Sequence, residues 1–201
     1  TIRRDGEVTS LRTPSQTVHR HSPTGLAATT STITFESDWT VPNPDGLEDK
    51  IISGFTGYKS KNADGSEVTN CATLPQAWAV EQTSLLEKLG ADYGPHMLYR
   101  RTSNWKMGRA VTFAMELTKG TVLATFNQVT GKYDNKPAGN HTVIFLSWTE
   151  SGMKVMEQGP SWGPRIRGIK FDSSQPYHSN AGRFNIVRVL TQRTISGKAG
   201  I

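Results

Sequence analysis

Apolar residues in the second half of the chain come in short runs broken by turns rich in Gly, Pro and Asn. "GTVLATF" (120–126), "HTVIFLSW" (141–148), "MKVMEQ" (153–158) and "RFNIVRVL" (183–190) each have the length and composition of a strand. The second and third flank the turn "TESG" and predict a hairpin, while "RIRGIKF" (165–171) predicts a further strand. "CATLPQAWAVEQTSLLEKLG" (71–90) has another period, with Ala72, Trp78, Ala79, Leu85, Leu86 and Leu89 at helical spacing. Pro75 belongs in or near a first turn, so this helix begins close to Cys71 and no earlier than about Asn70; Gly90 suits its end. A helix followed by an antiparallel sheet makes an α+β domain.

The first 45 residues have a different texture. "SLRTPSQTVHRHSPTGLAATTSTITFES" is rich in Ser, Thr and Pro and holds one strand-like stretch, "STITFES"; "VPNPDG" (41–46) then reads as a break dense in turns. The expected organisation is an extension over 1–45 and a domain over 46–201. The "HRH" of His19 and His21 reads as a solvated loop pair rather than metal ligands.

Composition narrows the classes. At 35% hydrophobic residues, a chain of 201 residues can bury one sizeable core. No run of about 18 apolar residues is present, so no membrane-spanning helix is expected. No leader pattern is recognisable and the first residue is Thr, which reads as a processed or trimmed product. With Cys71 as the single cysteine, neither an internal disulfide nor a cysteine-cluster metal site can form; the cysteine chemistry considered below requires no metal or organic cofactor. The net charge of +6 and pI of about 9.5 come from dispersed Lys and Arg, without a basic block or nucleic-acid motif. Nucleic acid is therefore not an expected partner; mild attraction to an anionic wall or membrane surface suits this charge better.

Candidate chemistry centres on Cys71. The unpaired N–H groups and positive dipole end of a helix stabilise a thiolate, and can later stabilise an oxyanion. Otherwise Cys71 is a small buried hydrophobe. A nucleophilic cysteine needs a base, and His141 stands apart from His19, His21, His96 and His178 because it opens an apolar strand directly after "PAGN". The orienting group should come from the returning hairpin strand. A register pairing Leu146 with Met153 selects Gln158, slightly favoured, whereas a slip of one residue selects Glu157.

A cysteine at a helix start, Gly-Asn-His at a strand start and a polar residue on the next strand resemble papain-like amidases of the NlpC and CHAP type. The likeness is closest to small bacterial CHAP-like domains related to secreted and type VI amidase effectors. It is carried by "NCATL", "TSNWKMG", "KGTVLATF", "GKYDNKPAGNHTVIFLSW", "VMEQ" and "GRFNIVRV", over about residues 55–190. The resemblance implies a papain-like fold, with a cysteine-bearing helix packed on an antiparallel sheet. It makes Cys71 the nucleophile, His141 the base and Glu157 or Gln158 the third residue. It also implies an enzyme cleaving amide bonds of peptidoglycan stem peptides, acting as a secreted antibacterial effector in the periplasm or cell wall, with an immunity or delivery protein as partner. The chain departs from the compact pattern in its N-terminal extension, in the spacer "EKLGADYGPHMLYRR" and in "EQGPSW" after the third residue.

Four further residues are candidates for contact with substrate. Trp105 either lines a cleft or packs on the helix, and Trp162 either offers a stacking surface or anchors a loop. Tyr133 and Asn140 border the His141 strand. Two rivals have the same cleft: a wall- or glycan-binding module without catalysis, and an acyl transferase passing the thioester to an amine.

Overall fold

The computed structural model describes residues 29–61, 66–88, 102–134 and 140–197. The architecture is α+β. In chain order the elements are β1 (Thr29–Asp38), α1 (Pro44–Ile52), β2 (Ser60–Lys61), β3 (Glu67–Val68), α2 (Thr73–Lys88), β4 (Lys106–Ala110) and β5 (Val122–Ala124). Then follow β6 (Thr142–Thr149), β7 (Gly152–Gly159), β8 (Trp162–Lys170) and β9 (Asn185–Gly197). The strands β1, β9, β5, β6, β7 and β8 lie side by side in that order, with β4 also paired to β9; every one of these pairings is antiparallel.

The apolar run of β6 is unbroken because both faces of the sheet are covered. Ile144 and Leu146 point to one side with Val122, Ala124 and Met156, joining Leu47 of α1 and Leu74 and Trp78 of α2. Val143 and Phe145 point to the other side, with Leu123, Val155, Ile169, Phe184 and Ile186. Burying a side chain of this size contributes about 1.5–3 kcal/mol, so the two clusters together fix the sheet that carries the candidate site.

Three local outcomes bear on the sequence pattern. The stretch read as a turn-dense break contains the start of α1. Asn43 caps the helix from a left-handed conformation, its side chain accepting from the Gly46 N–H, and Pro44 suits the first helical position, where no N–H is needed. The strand-like "STITFES" of the first 45 residues lies within β1, which pairs with β9 from Thr29↔Gly197 to Asp38↔Arg188. Finally, Trp162 is not in a loop but opens β8, opposite Gly159. Residues 1–28, His19, His21, His96 and Gly90 lie outside the described residues.

Candidate active site

Cys71 sits in the turn immediately before α2 and is half-buried. Two side chains fix that turn. Asn70 caps the helix, its Oδ1 accepting from the Thr73 N–H at 2.9 Å. Gln158, fully buried, donates through Nε2 to the carbonyls of Asn70 and Tyr58, both at 2.9 Å, and accepts from the Tyr58 N–H at 3.2 Å. Its amide thus ties the cysteine turn to the 55–58 segment. Gly57 belongs to the same arrangement. Its φ is +103°, and a Cβ there would meet Gln158 Oε1 at 3.0 Å and Pro164 Cδ at 2.9 Å.

His141 is held by its backbone against Thr125: its N–H donates to Thr125 Oγ1 at 2.7 Å, and its carbonyl accepts from the Thr125 N–H at 2.9 Å. The imidazole and the Cys71 thiol are close enough for each to shift the other's titration. Its Nε2 lies 2.6 Å from Oε2 of Glu157, which is fully buried. With Nε2 so occupied, Nδ1 is the nitrogen left for the thiol. Glu157 Oε1 accepts from Arg165 Nε at 2.8 Å and from Arg167 Nε. Arg167 continues to the carbonyl of His178 at 2.6 Å and to Ser179 Oγ at 3.3 Å.

Hydrogen bonds and charges oppose burial here. Burial pushes the Cys71 thiol up, but hydrogen bonding and attraction to His141, together with bonds from Tyr133 and the Thr142 N–H, bring it below its ordinary value. Burial lowers His141, yet its bonds to Cys71 and Glu157 raise it to about 9. Burial likewise raises Glu157, and His141 and Arg167 outweigh that to hold it at about 2. The arrangement therefore favours a thiolate–imidazolium pair backed by an ionised carboxylate.

Tyr133 adds a donor from beneath. Its hydroxyl is 3.2 Å from Cys71 Sγ and receives a hydrogen bond from Thr142 Oγ1 at 2.9 Å, which leaves its own proton to point at sulfur. Burial first, then the Cys71 charge, raises Tyr133 well above its ordinary value, so the proton stays in place. The ring is fixed edge-on to Trp105, with centroids 4.9 Å apart.

The structure thus brings Cys71, His141, Glu157 and Tyr133 together. Gln158, the slightly favoured orienting residue, faces the Cys71 turn instead, because the ladder pairs Ile144 with Met156 and, carried back along β6, sets position 141 opposite 159. Glu157 then shares the face of His141, and Gln158 does not. Trp105 is 3% exposed between Trp39 and Tyr133, so it packs rather than lines a cleft. Asn140 donates to the Thr125 carbonyl and accepts from the Asp134 N–H, tying both to the start of the His141 strand. Trp162 flanks the site, its ring centroid 6.0 Å from that of His141. Its indole lies across Gly159, where a Cβ would come within 2.5 Å of the ring.

Sequence reasoning passed over Arg165, Arg167 and His178, whose ring centroid is 6.2 Å from that of His141. Alternation in "RIRG" places both arginines on one face of β8, a signal that was available. Nothing local marked His178. Among the described residues no group of three His, Cys, Asp or Glu side chains is placed to hold a metal ion.

Comparison with known proteins gives a consistent set of likenesses. The family model described as "Domesticated amidase effector 2" matches residues 51–187, a span that includes Cys71, His141 and Glu157. The "Type VI secretion amidase effector 2 protein" of Salmonella typhi is 41% identical over 58 residues, which are 29% of this chain and 42% of that relative. The chain thus matches less than half the length of this curated relative. A solved structure of "Type 6 secretion amidase effector 2" aligns with 76% of this chain and 96% of its own, at 22% identity and a TM-score of 0.42.

Proposed function

Because the chain belongs to the domesticated amidase effector 2 family, we propose that it is a cysteine amidase in which Cys71 is the nucleophile, His141 the general base and acid, and Glu157 the orienting carboxylate. The single observation that carries this reading is the meeting of Cys71, His141 and Glu157 at the start of α2, the start of β6 and the end of β7, with His141 Nε2 2.6 Å from Glu157 Oε2. These are the parts that nucleophilic catalysis requires: a nucleophile, a base in reach of it and a group orienting the base.

In the proposed reaction the Cys71 thiolate attacks the amide carbonyl carbon, and the carbonyl electron pair moves onto oxygen. The Cys71 N–H, which no backbone carbonyl takes among the described residues, is the donor assigned to that oxyanion. The Gln158 amide is not, since both Tyr58 and Asn70 occupy it. The His141 imidazolium gives its proton to the nitrogen as the C–N bond breaks, leaving a thioester. Neutral His141 then takes a proton from water, which attacks the thioester and returns the thiolate. Glu157 stays ionised throughout and keeps the ring oriented.

The proposed substrate is an amide bond in a peptidoglycan stem peptide, and the proposed fold description is papain-like. The family description and the relative's name, both amidase effectors, support this choice and a place of action in the periplasm or wall of a target bacterium. A neutralising partner belongs to the same reading. Purified peptidoglycan incubated with the chain should release new amino termini and soluble fragments, and Cys71→Ala should release none. Equal release by the two proteins would sink the cysteine mechanism.

A further inference from the structure

The site carries one positive charge in excess. Cys71 and His141 sum to zero whether the proton sits on sulfur or on the ring. Glu157 contributes one negative charge, and its Oε1 is shared by two guanidinium groups, Arg165 and Arg167. Among the described residues no other carboxylate pairs with either arginine.

The two arginines are not equivalent. Arg167, 22% exposed in its side chain, is spent on Glu157, Ser179 and the His178 carbonyl. Arg165 uses Nε and Nη2 on the same Glu157 oxygen and has no other polar partner among the described residues. Its guanidinium carbon lies 3.9 Å from the centre of the Trp162 ring, and its side chain is 47% exposed. A guanidinium stacked on an indole is held flat, with less rotational freedom left to lose, and its free edge presents paired N–H groups suited to a planar carboxylate.

The position is also informative. Trp162 neighbours both Arg165 and the imidazole, 6.0 Å from His141 and 3.9 Å from the guanidinium, so Arg165 lies no further from His141 than those two spacings end to end. On the other side, Thr69 Oγ1 donates to the carbonyl of Gly159 at 3.0 Å, tying the Trp162 turn to the chain that leads into Cys71. A peptide crossing Cys71 beside Trp162 therefore reaches Arg165 within about three residues of the scissile amide.

We infer that Trp162 and Arg165 form a subsite for a free carboxylate of the substrate, placed within a few residues of the amide that is cut. Trp162 supports the guanidinium and covers the peptide backbone, and Arg165 takes the carboxylate, whose negative charge neutralises the excess. The inference rests on the amidase reading and adds the substrate feature that the cleft selects: an anionic peptide is preferred over the same peptide with its carboxylates amidated.

The test separates binding from hydrolysis. Two forms of a synthetic wall tetrapeptide, one with free carboxylates and one with carboxamides, are titrated by calorimetry into the Cys71→Ala chain. The free acid should bind at least about tenfold tighter, a bidentate charge-assisted pair being worth that much. Adding Arg165→Gln should bring the two affinities together, and Arg165→Lys should restore part of the difference. The alkylation profile of Cys71 is read in Arg165→Gln as well; a collapsed profile would mean that Arg165 acts by supporting the triad, and would overturn the subsite. Equal affinities, absence of binding by both forms, or a preference that survives Arg165→Gln would overturn it too. Peptidoglycan hydrolysis by the parent chain is read independently, so the subsite can fail while the amidase reading stands.

Discussion

Glu157 Oε2 lies 2.6 Å from His141 Nε2, while Gln158, its neighbour in sequence, points to the opposite side and grips the carbonyls of Asn70 and Tyr58. Two adjacent residues of one strand therefore serve the same cysteine from two directions. One sets the electrostatics of the imidazole; the other sets the position of the cysteine turn.

Substituting the first should affect chemistry. Glu157→Gln keeps the shape but removes the charge that stabilises the imidazolium, so the His141 pKa falls and the paired thiolate is favoured less. We expect kcat on peptidoglycan fragments to drop by roughly 10²-fold or more, and the alkylation midpoint of Cys71 to rise. Steady-state kinetics and iodoacetamide alkylation across pH check both. An unchanged midpoint would remove Glu157 from the pair.

Substituting the second should affect stability. Gln158→Ala takes their partner from the half-buried Tyr58 N–H and carbonyl, at about 1–3 kcal/mol for each group left unpaired, and leaves the Asn70 carbonyl only the Thr73 N–H. Gln158→Glu is worse in kind, since it presents acceptors where two carbonyls need donors. Urea denaturation should give a lower midpoint for both variants. A midpoint equal to the parent's would mean that water or a neighbour replaces the amide at no cost.

The ionisation of Glu157 also sets a pH dependence of folding. Its carboxyl is held at about 2 in the folded chain, against an ordinary value of 4.5. A depressed value adds stability above pH 4.5 and loses it as pH falls toward 2, a contribution of about 3 kcal/mol. His141, raised from 6.5 to about 9, works the other way: its contribution is complete below 6.5 and fades as pH rises toward 9. Cys71 is depressed and gains as pH rises, so the alkaline limb should be flatter than the acid one. Melting temperatures from pH 2 to 9 should show this asymmetry, and Glu157→Gln should flatten the acid limb.

Tyr133→Phe removes the hydroxyl that faces Sγ while leaving the ring between Trp105 and Phe126. A hydrogen bond to a charged acceptor is worth about 1.5–3 kcal/mol, so the alkylation midpoint should rise by about one pH unit or more. The buried Thr142 hydroxyl also loses its acceptor. A midpoint that does not move would assign Tyr133 a packing role alone.

Much of the site was legible because it depends on element boundaries. A helix starting just after Cys71 and an apolar strand starting just after His141 leave local marks, Pro75 in one case and "PAGN" in the other. The choice between Glu157 and Gln158 was not legible, because it turns on a register offset of one residue. The β6–β7 ladder shifts between Phe145 and Ser147, so Met153 pairs with Trp148 rather than Leu146. Trp105 was left open between cleft and core because an aromatic in a polar stretch gives no sign of which side it faces. The β1 pairing and the approach of His178 depend on residues far apart in sequence, which no local pattern encodes.

The alkylation rate of Cys71 by iodoacetamide as a function of pH, in the parent and in His141→Ala, tests the central claim most directly. The account predicts fast alkylation persisting well below pH 8 in the parent and an ordinary thiol profile, with its midpoint near about 8.5 or above, in the variant. Slow alkylation of the parent at neutral pH, or an identical profile in the two proteins, would contradict it and leave Cys71 a packing residue at the start of α2.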